Sequence, residues 1–511
     1  MGIGERIDRA ISVLSPRWAA RRAIDRLRMQ RCHQASVFGA AEQNRLTFDW
    51  TNRNSSADAA IIGDMDTLNA RARAAVRDDW AAASIVSGYR RHVVGTGIFC
   101  RANARDPKTG VAFEEFNKAA DRLWAKWCRA KYCDIERKKS FVGFQAMLIS
   151  EKVQVGEGLV VIRMTDKRPG VPRIVLQAVE PEMLDRTIFV SPITGNEVRN
   201  GIEIDKYGAP VAYWIYTEGH PLDTGGIFKG QYKSERILAE DVCHYARWDR
   251  PRQTHGYSRL APVLKKLRHL QLYDEYQLVA ARMEACYGAA IEADASLGDG
   301  GYGAAIAPGD DASNANGSPL MEFEPGMIQR LNPGEKISWH DPNRPGDLYD
   351  PFVKAQINQI AAGAGLDYPT VSRDFSGNTY SGQRQGMIER DYETEPEQWE
   401  MIDVFCQPVR DAVITAAILE GLLDAPGFEA DPELAEAYLE ADWRPQAKPW
   451  IDPANQASAA ETALRNKLTT RRTILNELGE DWRETFQQLA DEDAEMRRLG
   501  IAEKGTTNAE P

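Results

Sequence analysis

SRLAPVLKKLRHLQLYDEYQLVAARMEACY, Ser258 to Tyr287, reads as one long helix. Leu260, Leu264, Leu267, Leu270, Val279, Met283 and Tyr287 recur at helical spacing and give a single apolar stripe. Ser258 suits an N-cap, and Pro262 is tolerated in a first turn. At 1.5 Å per residue the pattern would run roughly 45 Å, beyond the usual length of a globular helix. Such a helix is a strut, and the neighbouring segments are judged by what they do to it.

Residues 289–350, which follow, are rich in Gly, Asp, Asn and Ala and cannot bury much core, so they read as a small β-rich excursion with a mobile loop. A second helix comes next in PFVKAQINQIAAGAGLD, with Phe352, Val353, Ile357 and Ile360 on one side. Its AAGAG end allows two readings: small residues for close helix approach in a ring of repeated struts, or ordinary glycine stop signals. RDFSGNTYSGQRQ, Arg373 to Gln385, then reads as a polar loop built to touch something. Beyond it, TEPEQWEMIDVFCQPVRDAVITAAILEGLL reads as a third long helix. Thr394 and Glu397 fit a capping box, Trp399, Ile402, Phe405, Val409 and Val413 form the apolar face, and Pro408 should bend it. After the linker DWRPQAKPWIDP, residues 455–499 are helical and highly charged, and the last dozen residues read as disordered.

On the other side of the strut, residues 1–31 carry eight arginines against three acids, with Ile3, Ile7, Ile11, Leu14, Trp18 and Ile24 interleaved at helical spacing. The acids Glu5, Asp8 and Asp25 weaken a transit-peptide or membrane-surface reading and favour a packing or docking arm. Residues 64–98 and 113–153 are helical in pattern. LVVIRM, RIVLQAVE, GIEIDKYGAPVAYWIY and AEDVCHYAR read as strands between Gly, Pro and Asp turns. The fold class is therefore α+β, mainly helical.

With 511 residues, 43% of them hydrophobic, the chain can bury a large core in several structural units. A formal charge of −12 argues against a general nucleic-acid coat, which gains affinity by neutralising phosphates with surplus Lys and Arg. Seven cysteines without a CxxC pair give no disulfide framework and suit a reducing compartment. No apolar run reaches the length of a membrane span.

A search for catalytic chemistry finds nothing specific. GDGGYG at 298–303 satisfies GxGxxG, but the AAIAPGDD that follows supplies no helix dipole for a pyrophosphate. GxxxxGK[ST] is absent, which excludes a P-loop motor. The histidines at 33, 92, 220, 244, 255, 269 and 340 lack zinc-ligand spacing. His244 reads as a satisfied core or turn residue, and Ser258, close to His255 but without a GxSxG elbow, as a helix cap. Asp78/Asp79 and Asp310/Asp311 are poorly placed to chelate one ion, because adjacent helical residues point about 100° apart. No cofactor, metal or catalytic residue is expected.

Several segments in succession resemble the lambda family of tailed-phage portal proteins: PRWAARRA, ARAAVRDDW with YRRHVVGTG, CDIERKKSF, VGEGLVVIRM, VEPEML, HGYSRLAPVLKKL, EFEPGMIQRLNPGEKI, AAGAGLDYPTVSRDFSGNTYSGQR and WIDPANQASAAETAL. The resemblance implies a portal fold and a ring-forming homo-oligomer, usually of twelve subunits, at one capsid vertex. It also implies an arm and mixed wing over 1–255, a first stem helix over 256–288, a clip over 289–350 and a second stem helix over 351–366. A tunnel loop over 367–385, a long wing helix over 386–424, a helical crown over 425–499 and a disordered tail over 500–511 complete it. Implied partners are further copies of the chain, double-stranded DNA held non-specifically in the channel, the terminase large subunit, the major capsid protein and head–tail adaptors, with no membrane. The implied place is the virion, assembled in the host bacterial cytoplasm. Arg373, Ser376, Gly377, Asn378, Tyr380 and Arg384 would line the tunnel, with Lys265, Lys266 and Arg268 on the stem facing the channel. An acidic chain suits a conduit, since strong phosphate contacts would stall a sliding duplex. The alternatives are a metal-dependent DNA-processing enzyme and a non-portal head–tail adaptor or scaffold.

Overall fold

The computed structural model describes Trp18, Arg45 and residues 54–217, 233–286, 290–293, 335–338, 349–376, 379–446 and 452–501. Met1–Ser56 and Ala57–Pro511 are separate units. In the first, Trp18 is helical and exposed. All elements below belong to the second.

Helices α1 (Ala57–Ile61), α2 (Met65–Asp78) and α3 (Trp80–Tyr89) open the body. Asp79 separates α2 from α3: its extended backbone breaks the first helix, and its carboxylate caps the second by accepting from the amides of Ala81 and Ala82. A π-helical turn, Arg90–Val94, leads from α3 into β1 (Phe99–Ala102). Helices α4 (Glu114–Trp127), α5 (Ala130–Cys133) and α6 (Phe141–Val155) follow. Ser140 caps α6, and Gly156, at φ +99°, ends it.

The strands come next: β2 (Glu157–Met164), β3 (Ile174–Val179), β4 (Glu197–Arg199), β5 (Ile202–Ile204), β6 (Pro210–Tyr216), β7 (Ser234–Leu238) and β8 (Val242–Ala246). They form two antiparallel sheets, β3-β2-β8 and β4-β5-β6-β7. Strand β2 serves two cores by alternation. Val160 and Ile162 join the helical core, whereas Leu159 and Val161 pack with Ile202, Ile204, Tyr213 and Ile215 of the second sheet. The four sequence segments read as strands coincide with β2, β3, β5 with β6, and β8. Strands β4 and β7 escape a sequence reading because they are short edge segments of mixed polarity.

The strut is helix α7 (Leu264–Cys286), and its partner across the excursion, which holds β9 (Ala290–Ala293) and β10 (Glu335–Ser338), is α8 (Tyr349–Ala364). With 23 residues α7 is about 35 Å long, shorter than the pattern suggests. Residues 258–263 are turns instead: Ser258 is fully buried, and its hydroxyl accepts from the Leu260 amide at 3.1 Å. Helices α7 and α8 run antiparallel, as Tyr273 meets Tyr349 and Phe352, and Lys266 bonds Gln359. A Cβ at Gly363 would stand 2.6 Å from Val263, so part of the AAGAG run serves close approach inside one chain; Gly365, at φ +77°, is the helix stop.

Helix α9 (Tyr368–Ser372) precedes α10 (Tyr380–Met401), a π-helical turn (Ile402–Cys406) and α11 (Gln407–Leu419). Thr379 caps α10, accepting from Gly382. Thr394 therefore lies mid-helix, where its hydroxyl donates to the Arg390 carbonyl at 3.2 Å, and no capping box forms with Glu397. The irregularity expected at Pro408 appears one turn earlier, as the π-helical turn, because a proline removes an amide from the helical ladder. Ile402, Phe405, Val409 and Val413 are buried as expected, but Trp399 is 57% exposed.

Helix α12 (Pro432–Leu439) leads to β11 (Ala441–Arg444), so the segment read as a linker begins as a strand, paired to β1. Helices α13 (Pro453–Arg465), α14 (Arg471–Glu477) and α15 (Trp482–Leu499) complete the body. Trp124, Trp127, Phe141 and Phe405 stack in the helical core, and the Trp127 indole donates to the Ile174 carbonyl at 2.8 Å. This ties the aromatic cluster to the first sheet.

Glu157, wholly buried, joins both sheets to the turn before the strut. It accepts from His255 Nδ1 at 3.1 Å, His244 Nε2 at 3.1 Å and the Gly256 amide at 3.0 Å. His255 Nε2 faces the Arg199 carbonyl at 3.2 Å, so both of its ring nitrogens meet acceptors and both must carry protons. Burial alone would raise the Glu157 carboxyl and lower His255. Their mutual charge and hydrogen bonds outweigh it, holding Glu157 well below the carboxylate range and His255 above the usual imidazole range. The Glu157 contribution is complete above an unfolded carboxyl pKa and fades as pH falls through its lowered folded value. The His255 contribution is complete below an unfolded imidazole pKa and fades as pH rises through its raised folded value. Stability from this pair is therefore greatest between about pH 4.5 and 6.5. Thermal melts across pH should show a decline on the alkaline side that is much reduced in Glu157→Gln; an identical alkaline decline in that variant would contradict the assignment.

Candidate nucleic-acid interface

The quoted loop is mostly framed by helix. Its first residue, Arg373, closes α9 in the left-handed conformation at φ +60°, donating its amide to the Pro369 carbonyl at 3.0 Å. Its last six residues, 380–385, already belong to α10. The irregular stretch is thus 373–379, and it is organised by a residue that composition did not single out. Asp374 accepts from the Ser376 amide at 2.9 Å, the Ser376 hydroxyl at 2.5 Å and the Tyr368 hydroxyl at 3.2 Å. Those bonds, with the Lys354 ammonium nearby, hold its carboxyl down at about 2. An Asp two residues ahead of a Ser at a helix exit is the sequence signal, an Asx turn.

Arg373, Ser376 and Arg384 are exposed. Ser376 spends its hydroxyl on Asp374. Gly377, Asn378 and the Tyr380 side chain lie outside the described residues. On α7, Lys265 and Arg268 are exposed, but Arg268 bonds Gln271 of its own helix at 2.9 Å, and Lys266 bonds Gln359 of α8. The structure brings Lys266 into helix pairing and does not bring the three stem cations together with Arg373. Instead, Arg373 joins cations from α3 and α10. The Ser84 hydroxyl of α3 donates to the Val371 carbonyl at 2.7 Å, pulling the root of the loop onto the helix that runs into Arg90 and Arg91.

The loop helix is clasped to the strut by a partly buried charge network. Arg259, just before α7, pairs with Glu397 of α10 at 3.1 Å and with Glu393, and donates to the Ala364 carbonyl at 3.2 Å. Lys152 of α6 contacts Glu397 at 2.7 Å and Glu400 at 2.6 Å, and the Tyr245 hydroxyl donates to Glu397 at 2.7 Å. The Tyr89 hydroxyl donates to the Ala364 carbonyl at 2.9 Å beneath the Arg259 guanidinium. These positions are scattered over five segments, so sequence alone offered no signal for them.

Nothing here resembles a catalytic centre. Ser258 has no histidine partner, since His255 is committed to Glu157 and the Arg199 carbonyl, and His244 is buried and bonded as expected. Asp79 is a helix cap and Asp78 pairs with Arg77. Among the described residues no group of His, Cys, Asp and Glu could hold a metal, and the five cysteines are free. GDGGYG and Asp310/Asp311 lie outside the described residues.

The model of the phage portal protein family, lambda type, matches residues 43–398, which span the sheets, both struts, the loop and most of α10. The chain belongs to the lambda family of phage portal proteins. The "Probable portal protein" of Halomonas phage phiHAP-1 is 28% identical over 492 residues, covering 93% of this chain and 91% of that one. "Portal protein B" of Escherichia phage lambda is 23% identical over 489 residues, covering 88% of each. A chain from the neck of a native gene transfer agent particle, solved with C12 symmetry, aligns with 82% of this chain and 99% of its own at 14% identity and a TM-score of 0.42, too loose a match to add to the assignment. As a portal protein the chain is a structural component of the virion and not an enzyme, and it assembles with copies of itself. No described helix is long and apolar enough to cross a membrane.

Portal architecture makes the clasp testable. Arg259→Ala would leave Glu393, Glu397 and the Ala364 carbonyl short of a partner, at a cost on the order of 2–3 kcal/mol for a network that water still reaches in part. Calorimetry should show a clearly lowered unfolding midpoint, with Arg259→Lys intermediate; an unchanged midpoint would mean the clasp contributes nothing.

Proposed function

We propose that the chain forms a ring, of twelve copies, at one capsid vertex, through which double-stranded DNA is packaged and later ejected. In this reading α7 and α8 are the stem, residues 289–350 the clip, and 373–379 with the start of α10 the tunnel loop. The sheets and α10 with α11 form the wing, and the charged helices from 453 onward belong to the crown. The terminase large subunit, the head–tail adaptors and the major capsid protein are its partners, and assembly takes place in the host bacterial cytoplasm.

The observation that carries the reading is the match of the portal family across 43–398, with an exposed, arginine-bearing loop set between the second strut and a long helix. Physical chemistry supports it. Repeating a subunit of net charge −12 around a hole repels a polyanion broadly, while a few exposed cations such as Arg373 and Arg384 attract it locally and briefly. The exposed second half of the strut, with Tyr276 67%, Leu278 63% and Val279 45% exposed, offers an apolar face that a neighbouring stem would cover.

Negative-stain images of the purified protein should show rings with a central hole, and monomers or compact dimers under all salt conditions would count heavily against the reading. Arg384→Gln should leave those rings intact and lower the DNA retained per particle severalfold. Normal retention with intact rings would remove Arg384 from the channel.

A further inference from the structure

Arg90 and Arg91 stand on the π-helical turn, which packs against α10 and is fixed there by a hydrogen bond from the Gln398 side chain to the His92 carbonyl at 3.0 Å. Arg390 projects from α10, about 15 Å of helix beyond its start, and Arg373 closes α9 against α3. Four guanidinium groups from three segments therefore converge around His92. One carboxylate answers them directly: Arg390 reaches Asp391 at 3.1 Å, while Arg91 Nε donates to the Ser87 carbonyl at 3.2 Å.

Two of the donors are left over. Arg91 Nη2 and Arg390 Nε are buried and have no hydrogen-bond partner among the described residues. A buried guanidinium N–H without an acceptor is costly, and fixing like charges together adds to the cost. The titration behaviour agrees: desolvation, then Arg373, Arg390 and Arg90, lower the Arg91 proton affinity. Desolvation, then Arg390 and Arg91, hold His92 down at about 4 against the opposing pull of Asp391. An arrangement of this kind is relieved by an anion with several acceptor oxygens.

We propose that Arg90, Arg91, Arg373 and Arg390 form a phosphodiester-binding shelf, set back from the loop tip, that holds the backbone of a nucleic-acid duplex. The shelf rests on the channel reading above and adds to it a contact made by the wing. The alternative anion, a carboxylate from the next copy in a ring, fits less well. The unpaired nitrogens share one space with exposed Arg90 and Arg373 of the loop root, and a single tetrahedral phosphate or two adjacent ones can meet all of them. The shelf also explains why the loop opens with an arginine in a left-handed position that glycine fills more easily: the backbone strain is accepted to place a charge at that corner.

The test uses the assembled full-length protein and a short fluorescent blunt-ended DNA duplex, with affinity measured from about 50 to about 200 mM sodium chloride. Arg90→Gln alone and Arg90→Gln with Arg390→Gln are compared with Arg384→Gln, and ring integrity is checked by mass photometry. Each lost phosphate contact should lower the slope of log affinity against log salt by about 1. In the native ring, histidine hydrogen–deuterium exchange should report about a tenfold gain in His92 proton affinity when duplex is added. Unchanged slopes for Arg90→Gln and the double variant with an unchanged His92, while Arg384→Gln lowers the slope, would overturn the shelf and leave the loop reading standing. The converse pattern would keep the shelf and remove the loop tip. Rings that fall apart in the double variant, with His92 responding to assembly and not to duplex, would assign the guanidinium groups to the neighbouring copy and overturn the proposal.

Discussion

Glu397 stands where the body is held together. Its carboxylate takes Arg259 from the foot of the strut, Lys152 from α6 and the hydroxyl of Tyr245 from β8, while its own helix carries the loop at the other end. Three separately folded pieces, the paired struts, the first sheet with its helix, and the loop helix, thereby share one negative charge. Such a point is expensive to desolvate and is tolerated only when every oxygen is matched, so its neighbours are constrained in turn. Gly365 has no room for a side chain beside Arg259 and Tyr89, and Tyr89 is committed to the Ala364 carbonyl. The position of the loop relative to the struts follows from this network more than from the loop's own composition.

Much of the architecture was legible because it is periodic. The alternation of VVIRM and the 3.6-residue stripe of Ile402, Phe405, Val409 and Val413 report burial directly, and both strands and helix formed where the pattern says. Trp399 misleads because the same hydrophobic residue can face a core or a free surface, and periodicity cannot tell which. The capping box at Thr394 fails for a similar reason: a helix begins where the chain first becomes helical, and Thr379 supplies that start fifteen residues earlier than Thr394. The pairing of β1 with β11 joins residues more than three hundred positions apart, which no local pattern reports.

The candidate site was legible in part. Arg373, Ser376 and Arg384 were visible as polar loop residues, yet Asp374, which shapes the loop, and Arg90, Arg91 and Arg390, which surround its root, were not singled out. RRH at 90–92 looks like an ordinary charged helix end. Only the tertiary fold sets that dipeptide of arginines against a third and a fourth, and only then do unmatched donors become apparent.

The two π-helical turns carry a consequence of their own. Each holds one residue more than the surrounding helix needs, so the side chains beyond it are rotated by about 100° relative to those before it. Across Ile402–Cys406 that phase change lets α10 address the strut with Glu393 and Glu397 while α11 turns Val409 and Val413 toward the aromatic core. Removing a single residue from that turn would restore an unbroken helix and carry every later side chain off its target. The length of the chain at this point is therefore as strictly specified as its composition.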